Sequence, residues 1–317
     1  MTAQTLANET AQPTYLEILA YLGMTRHLGA WDATNELSAY CHIEKGEYVL
    51  DVGCGTGKTS AAFAKRRGCR VVGVDLSPRM IEWAKETAKH QGVPDKVEFR
   101  TADARQLPFD DATFDAVICD SVLGFVPDKS NALREFMRVC KPGGYVGMNE
   151  TTWLTATVPP EIVESLETAG FSGAKLITLD EWRTILNTSG LKDIVMKTYH
   201  TTARGDVIDR FQWFGITGIV RNIVHMVAFA ASSPANRAVL KHFMTLSRRM
   251  PKNFYDYYPS LSRLGSLAQG GDAGQDTARA SRNQIRAHRQ RRFERGDAKD
   301  QSGTWLQAVH VRNRLAD

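Results

Sequence analysis

The sequence predicts an α/β fold, a doubly wound and mostly parallel sheet with helices on both faces. Three observations carry this. From Tyr48 to Tyr199, short β-branched runs alternate with segments of helical periodicity, the order that strand–helix–strand crossovers produce. The first run, YVLDV, ends in a turn holding Gly53, Gly55 and Gly57 and then passes into TSAAFAKR, good helical material. Acids also close four consecutive strands (Asp51, Asp75, Asp103 and Asp120), and parallel sheets of this kind bind ligands at the carboxyl ends of their strands.

Residues 1–13 are polar and without periodicity. Tyr15–Leu22 reads as a helix, which His27-Leu28-Gly29-Ala30 breaks, and Thr34–Cys41 reads as a second, with Leu37, Tyr40 and Cys41 at i, i+3 and i+4. Both precede the first strand, so residues 1–44 are expected to cover whatever the glycine turn binds. Within residues 45–200 the expected order opens with strand Tyr48–Val52, helix Thr56–Arg67 and strand Arg70–Val74. Helix Pro78–Gln91 follows, with Pro at its first turn and Gly92 past its end. Then come strands Val97–Thr101 and Phe114–Cys119, a helix over Asn131–Cys140, a turn at Lys141-Pro142-Gly143-Gly144 and a strand Tyr145–Asn149. Helix Leu179–Thr188 and strand Ile194–Tyr199 complete this domain.

Residues 201–262 read as a helical addition on the substrate side. Asp206–Ala231 is dense in apolar and aromatic residues, interrupted by Asp209, Arg210, Arg221 and His225, and Ala235–Arg249 reads as another helix. Residues 263–317 read as a basic, disordered tail, with seven arginines from Arg279 to Arg295 and too few large apolar residues to bury a core. Inside it, Thr304–Val311 reads as an edge strand.

The formal charge of +5 belongs to that tail, where Arg263–Asp317 holds eleven bases and six acids against 29 of each before it. A neutral body gives no reason to expect a stable nucleic-acid partner, and the arginine-rich tail keeps nucleic-acid binding as the alternative. Cys41, Cys54, Cys69, Cys119 and Cys140 are scattered, odd in number and without CxxC spacing. They argue against a disulfide framework and a zinc site, and suit a reducing cytoplasm. Neither a signal peptide nor a membrane span is expected, while peripheral membrane contact through Asp206–Ala231 stays open.

Three ligands compete for the glycine turn. A phosphate-cradling P-loop needs Gly where Val52 stands. A dinucleotide fingerprint needs Gly or Ala where Lys58 or Ser60 stands, and Asp51 would repel a pyrophosphate. S-adenosylmethionine suits the residues better, since it carries no phosphate. Asp51 can face its ammonium, directly or through a water. The glycines let the backbone approach it. Asp75 can accept from both ribose hydroxyls, and Asp103 from the adenine amino group.

Four stretches then show a resemblance: VLDVGCGTG, VVGVDLSPRMI, TADARQLPFDDATFDAVIC and LREFMRVCKPGGYV. They are similar to the successive motifs of class I S-adenosylmethionine-dependent methyltransferases. The small-molecule branch, with the ubiquinone/menaquinone biosynthesis methyltransferases and the type 11 enzymes, is the nearest in look. The likeness covers residues 45–150 and continues more weakly to Tyr199. It implies a Rossmann-like methyltransferase fold and S-adenosylmethionine as cofactor, with Asp51, Gly53, Gly55, Gly57, Asp75 and Asp103 binding it. Cys54 and Thr56 lie within the same turn. Leu76 and Ala104 would flank the adenosine, Met80 would pack on the adenine, and Asp120 would sit beside the methionine portion.

The acceptor is expected to be a small, hydrophobic or aromatic molecule, methylated in line. Trp153, Trp182, Phe211, Trp213, Phe214, Tyr255, Tyr257 and Tyr258 could supply its pocket. Asp120, Ser121, Asn149 and Glu150 follow the fourth and fifth strands as base candidates, and Arg26 and His27 could contact the cofactor's carboxylate or the substrate. Many relatives carry a His near the position of Gly124, so no catalytic base is assigned. An RNA methyltransferase working through the tail is the alternative.

Overall fold

The computed structural model describes residues 15–25, 29–153, 155–166, 174–198, 203–246, 261–265 and 309–312. Helices α1 (Tyr15–Leu22) and α2 (Ala30–Tyr40) lead into β1 (Tyr48–Val52). The glycine turn ends one residue before α3 (Lys58–Ala62), which widens into a π-helical turn over Phe63–Arg67. The helix therefore starts two residues later than expected, because Gly57 at φ 72° cannot continue it backwards. Next come β2 (Arg70–Asp75), α4 (Pro78–Gln91), β3 (Val97–Thr101), β4 (Phe114–Asp120) and α5 (Lys129–Val139). The Ser77 side chain caps α4, accepting the Met80 N–H, and Gly92 closes it in the left-handed region.

Strand β5 runs from Cys140 to Trp153 and absorbs Lys141–Gly144 as an irregularity in its pairing with β4 rather than as a turn. Asn149 and Glu150 therefore lie inside a strand and not after one. Helix α6 (Pro160–Leu166), the two-residue strand β6 (Ile177–Thr178), α7 (Leu179–Thr188) and β7 (Val195–Thr198) follow. A capping box between Thr178 and Glu181 starts α7. The C-terminal helices are α8 (Ala203–Ser232) and α9 (Pro234–Leu246), and strands β8 (Leu261–Gly265) and β9 (Val309–Arg312) close the sheet.

The sheet order is β3-β2-β1-β4-β5-β9-β8-β7. Strands β1 to β5 are mutually parallel, while β8 and β9 run antiparallel to β5, which leaves β7 parallel to it. Two expectations need correction here. The tail beyond residue 262 is not wholly outside the fold: β8 crosses that boundary, and Val309–Arg312 pairs with Tyr145–Gly147 in the sheet's interior rather than at its edge. Residues 304–308, the start of the expected edge strand, lie outside the described residues. Both closing strands use β5 as template, which is why this strand is so long.

Alternation along the central strands sends residues to two cores, as a doubly wound sheet requires. Leu50, Val52, Val72, Val74 and Val117 pack with Phe136 and Trp182 on one face. Val49, Val71 and Ile118 pack with Leu37, Phe63 and Ala84 on the other.

Candidate cofactor and active site

Register gathers the strand-end acids. Val52 lies opposite Val74 on β2 and Cys119 on β4, so the next rung sets Gly53 between Asp75 and Asp120. Asp120 in turn pairs with Asn149 on β5. Gly53 and Cys54 both donate their N–H to the Val74 carbonyl, at 2.7 and 2.9 Å, which folds the turn back over the sheet edge. Gly53 has φ 72°, and a Cβ there would collide with the Val122 side chain from the loop after β4. The turn is thus wedged between two loops and admits no larger residue at that point.

Asp75 is half-buried. Its Oδ2 accepts the Gly55 N–H at 2.9 Å and its Oδ1 the Ser77 N–H at 2.9 Å, joining the turn to the cap of α4. Burial raises its pKa, and those two bonds oppose the shift. Leu76, next along, is 70% exposed, an apolar side chain held in the open beside an acceptor carboxylate. Asp51 is 2% exposed beneath the turn and accepts the Ser60 hydroxyl at 2.5 Å. Cys54 and Thr56 are buried within the turn.

Asp103 sits two residues past β3, and Arg105 grips it through Nε and Nη2 at 3.0 and 2.6 Å. This bond is the first cause of its lowered pKa. The carboxylate expected at the adenine amino group is therefore engaged by a guanidinium in this structure. Ala104 beside it is half-buried. Met80, expected at the adenine, is buried with Leu19 and Ala20 of α1 and with Met24.

The base candidates are tied into hydrogen bonds. Asp120 Oδ1 accepts from Asn149 Nδ2 at 2.7 Å and from the Ser121 hydroxyl at 3.1 Å. Glu150, 1% exposed, accepts the N–H groups of Val122, Leu123 and Gly124 at 3.0, 2.9 and 3.3 Å. Burial pushes its pKa up to about 7, with the neighbouring Asp120 charge adding to the rise. Glu150 thus holds the loop that Val122 wedges against Gly53, a structural task that accounts for its place on β5. Arg26 and His27 lie outside the described residues, as do Tyr255, Tyr257 and Tyr258. Among the described residues, no group of three or more His, Cys, Asp and Glu could hold a metal ion.

Several contacts over the turn have no local sequence signal. Thr25 reaches Thr56 through a 3.4 Å hydroxyl–hydroxyl bond. Lys58 lies over the rings of Trp213 (5.1 Å) and Phe214 (4.6 Å) and donates to the Trp213 carbonyl at 3.3 Å. Burial, with Arg221 as a lesser cause, lowers its pKa to about 8. Trp213 also stacks on Trp31 of α2, 4.7 Å between centroids. The Lys58 pair could only have been suspected from an amine following the turn and an aromatic cluster 155 residues away.

Residues 50–148 match the family model described as a methyltransferase domain. A Haemophilus influenzae protein, uncharacterized, is 31% identical over 64% of this chain and 83% of its own length. The chain belongs to the class I S-adenosylmethionine-dependent methyltransferases. The 27-O-demethylrifamycin SV methyltransferase of Amycolatopsis mediterranei is 29% identical over 54% of this chain and 67% of its own. The demethylmenaquinone methyltransferase of Lactiplantibacillus plantarum is 36% identical over 45% of this chain and 60% of its own. A methyltransferase structure from Thiobacillus denitrificans, in complex with S-adenosylhomocysteine, superposes with a TM-score of 0.59 at 18% identity, covering 81% of this chain and all of that one.

The methyltransferase's own residues fit the cofactor. Two acceptor oxygens on Asp75 and an exposed Leu76 at one strand end suit a ribose diol and an adenine face. The glycine turn, with its positive φ angles, leaves room for backbone approach to the amino-acid portion.

Proposed function

We propose that this methyltransferase acts on a small hydrophobic or aromatic molecule, holding it at the carboxyl edge beyond Asp120 and Asn149. The observation that carries this is the division of the site. Its cofactor half is polar, whereas the rings of Trp213, Phe214 and Trp31 gather beside Lys58, the residue that follows the turn. The relatives' names, a rifamycin derivative and a demethylmenaquinone, agree with such an acceptor.

When bound, S-adenosylmethionine supplies a sulfonium methyl group open to in-line displacement. The protein's work is to bind, orient and exclude water. In the proposed arrangement Asp75 takes the ribose hydroxyls, Leu76 lies against the adenosine, and Gly53 to Gly57 follow the amino-acid portion. Asp51 acts beneath the turn on the ammonium, and Asp120 stands beside the methionine portion. Asp103 keeps its bond with Arg105 and accepts from adenine through the lone-pair capacity left on Oδ2, while Met80 packs under α1. Glu150 and Asp120 already accept several hydrogen bonds, so neither is assigned as a base. The acceptor must then bring a nucleophile that needs little help in losing its proton, such as a phenol, an enol or an activated carbon. Five buried thiols agree with a cytoplasmic setting. The arginines of residues 279–295, on which the nucleic-acid alternative rested, lie outside the matched segment and outside the described residues.

The test is release of S-adenosylhomocysteine across a panel of quinols, phenols, amines, thiols and short RNAs. Turnover with phenols or quinols is the expected result. Turnover confined to amines or RNA would overturn the proposed acceptor class.

A further inference from the structure

We propose that the outer face of α8, with the bases around it, docks on an anionic lipid bilayer and lies in its interface. Ile216, Val220, Ile223, Val224 and Val227 are 78, 55, 50, 57 and 63% exposed. Their spacing places all five within one stripe about 100° wide. The opposite side of the helix is occupied: Phe229 packs on Tyr21 at 4.4 Å and His225 on Trp83 at 5.5 Å between ring centroids. A helix with one face seated on protein and the other an unbroken row of Ile and Val is built to meet a second apolar phase.

Charge chooses that phase. No Asp or Glu occurs between Asp209 and Asp256, and seven Lys and Arg fall in that interval. The rest of residues 1–262 holds 22 bases and 29 acids, so the neutrality of the body hides a strongly basic segment. Arg221 flanks the stripe, and Arg237 and Lys241 are exposed on α9 together with Met244. Among the described residues, none of the three bases forms an ion pair. A second copy of this chain would bring the same positive charge against itself. A nucleic acid would take the bases and leave the valines facing water. An anionic headgroup layer over acyl chains satisfies both features.

Residues Phe211–Ser232 are long and apolar enough to cross a membrane, with mean hydropathy 1.5 and 17% of that stretch buried. Two features favour lying flat. Gly215, at φ 64° and ψ 172°, breaks the helix, and the 17 residues after it reach about 25 Å against a hydrocarbon core of about 30 Å. Insertion would also strip the packing on Tyr21 and Trp83.

The experiment is co-sedimentation of the full chain with vesicles of phosphatidylcholine alone or mixed with phosphatidylglycerol. Retention is expected on the mixed vesicles and to weaken with salt. The Val220→Glu/Val224→Glu variant should partition at least about tenfold less. The Arg221→Gln/Arg237→Gln/Lys241→Gln variant, which gives up the 3.2 Å bond from Arg237 to the Ala230 carbonyl, should lose about fivefold per base removed. Failure of the mixed vesicles to retain the chain would overturn the proposal. So would unchanged retention of either variant, which would assign binding to the basic tail, or a dimer in sedimentation velocity that Val220→Glu/Val224→Glu abolishes. The readout needs neither cofactor nor acceptor, and S-adenosylhomocysteine calorimetry on the same variants monitors the fold, so its failure leaves the methyl-transfer reading intact.

Discussion

Replacing Glu150 by Gln isolates the effect of one buried charge. Burial lifts this carboxyl to about 7, against 4.5 in the unfolded chain. Between those values the folded protein holds a proton that the unfolded chain has lost. Its contribution to stability therefore falls as pH rises above about 4.5 and levels off above about 7. The two values differ by enough to remove roughly 3 kcal/mol in total, most of it between pH 5 and 8. The Gln variant has no such titration. Its amide oxygen can keep the Val122 and Leu123 bonds, but its NH2 group would face the Gly124 N–H, forfeiting one bond worth about 1 kcal/mol.

The stability of the variant relative to the parent should then shift in the variant's favour by roughly 2–3 kcal/mol from pH 5 to pH 8. Near pH 5 the lost bond and the relieved charge nearly cancel, and by pH 8 the variant should be the more stable protein. Urea unfolding of both proteins at pH 5, 6, 7 and 8 measures this directly. A difference that stays constant across that range would refute the reasoning, since Glu150 would then ionise normally in the fold.

Two further perturbations address the cofactor side. Asp75→Ala removes the acceptor expected at the ribose and the link between Gly55 and Ser77; S-adenosylhomocysteine should bind more weakly by about 1–3 kcal/mol, and an unchanged calorimetric affinity would place the ribose elsewhere. Lys58→Met keeps the stem but removes the amine over Trp213 and Phe214, a loss of about 1 kcal/mol that should speed amide exchange around Gly215, whereas identical exchange would show that the contact does not hold the helix.

The cofactor half was legible because its determinants are local. Strand, glycine turn and helix follow one another within twenty residues, Asp51 is the last but one residue of its strand, and Asp75 and Asp120 end theirs. Parallel pairing then needed only the usual register to bring them to one edge. The sheet's far side was not legible in the same way. Strands β8 and β9 are separated by 43 residues, and each is short enough that only the template offered by β5 makes it a strand. The composition around them, rich in Gly, Ser and Arg, argued for a tail.

Within the site, local chemistry misled wherever a nearby or distant partner had already claimed the side chain. Asp103 is an acceptor at the right place, yet Arg105 two residues on satisfies it in a fork that no spacing rule for cofactor acids takes into account. Glu150 reads as a base candidate because the sequence places the end of the fifth strand at Asn149, just before it. The structure gives the commoner reason for a buried carboxylate, three converging N–H groups that would otherwise be left without acceptors. Met80 is expected at the adenine only through the family resemblance. Its side chain instead joins Leu19 and Ala20, since α1 crosses the first turn of α4 and offers a larger apolar surface than a purine edge. For Met80 the cause is distant, since α1, α2 and α8 are placed near the glycine turn and α3 by contacts such as Thr25–Thr56 and Trp31–Trp213, which join residues far apart in the chain. The glycine turn and the strand-end acids are written in one stretch of sequence, whereas the aromatic group proposed for the acceptor depends on how α2 and α8 meet.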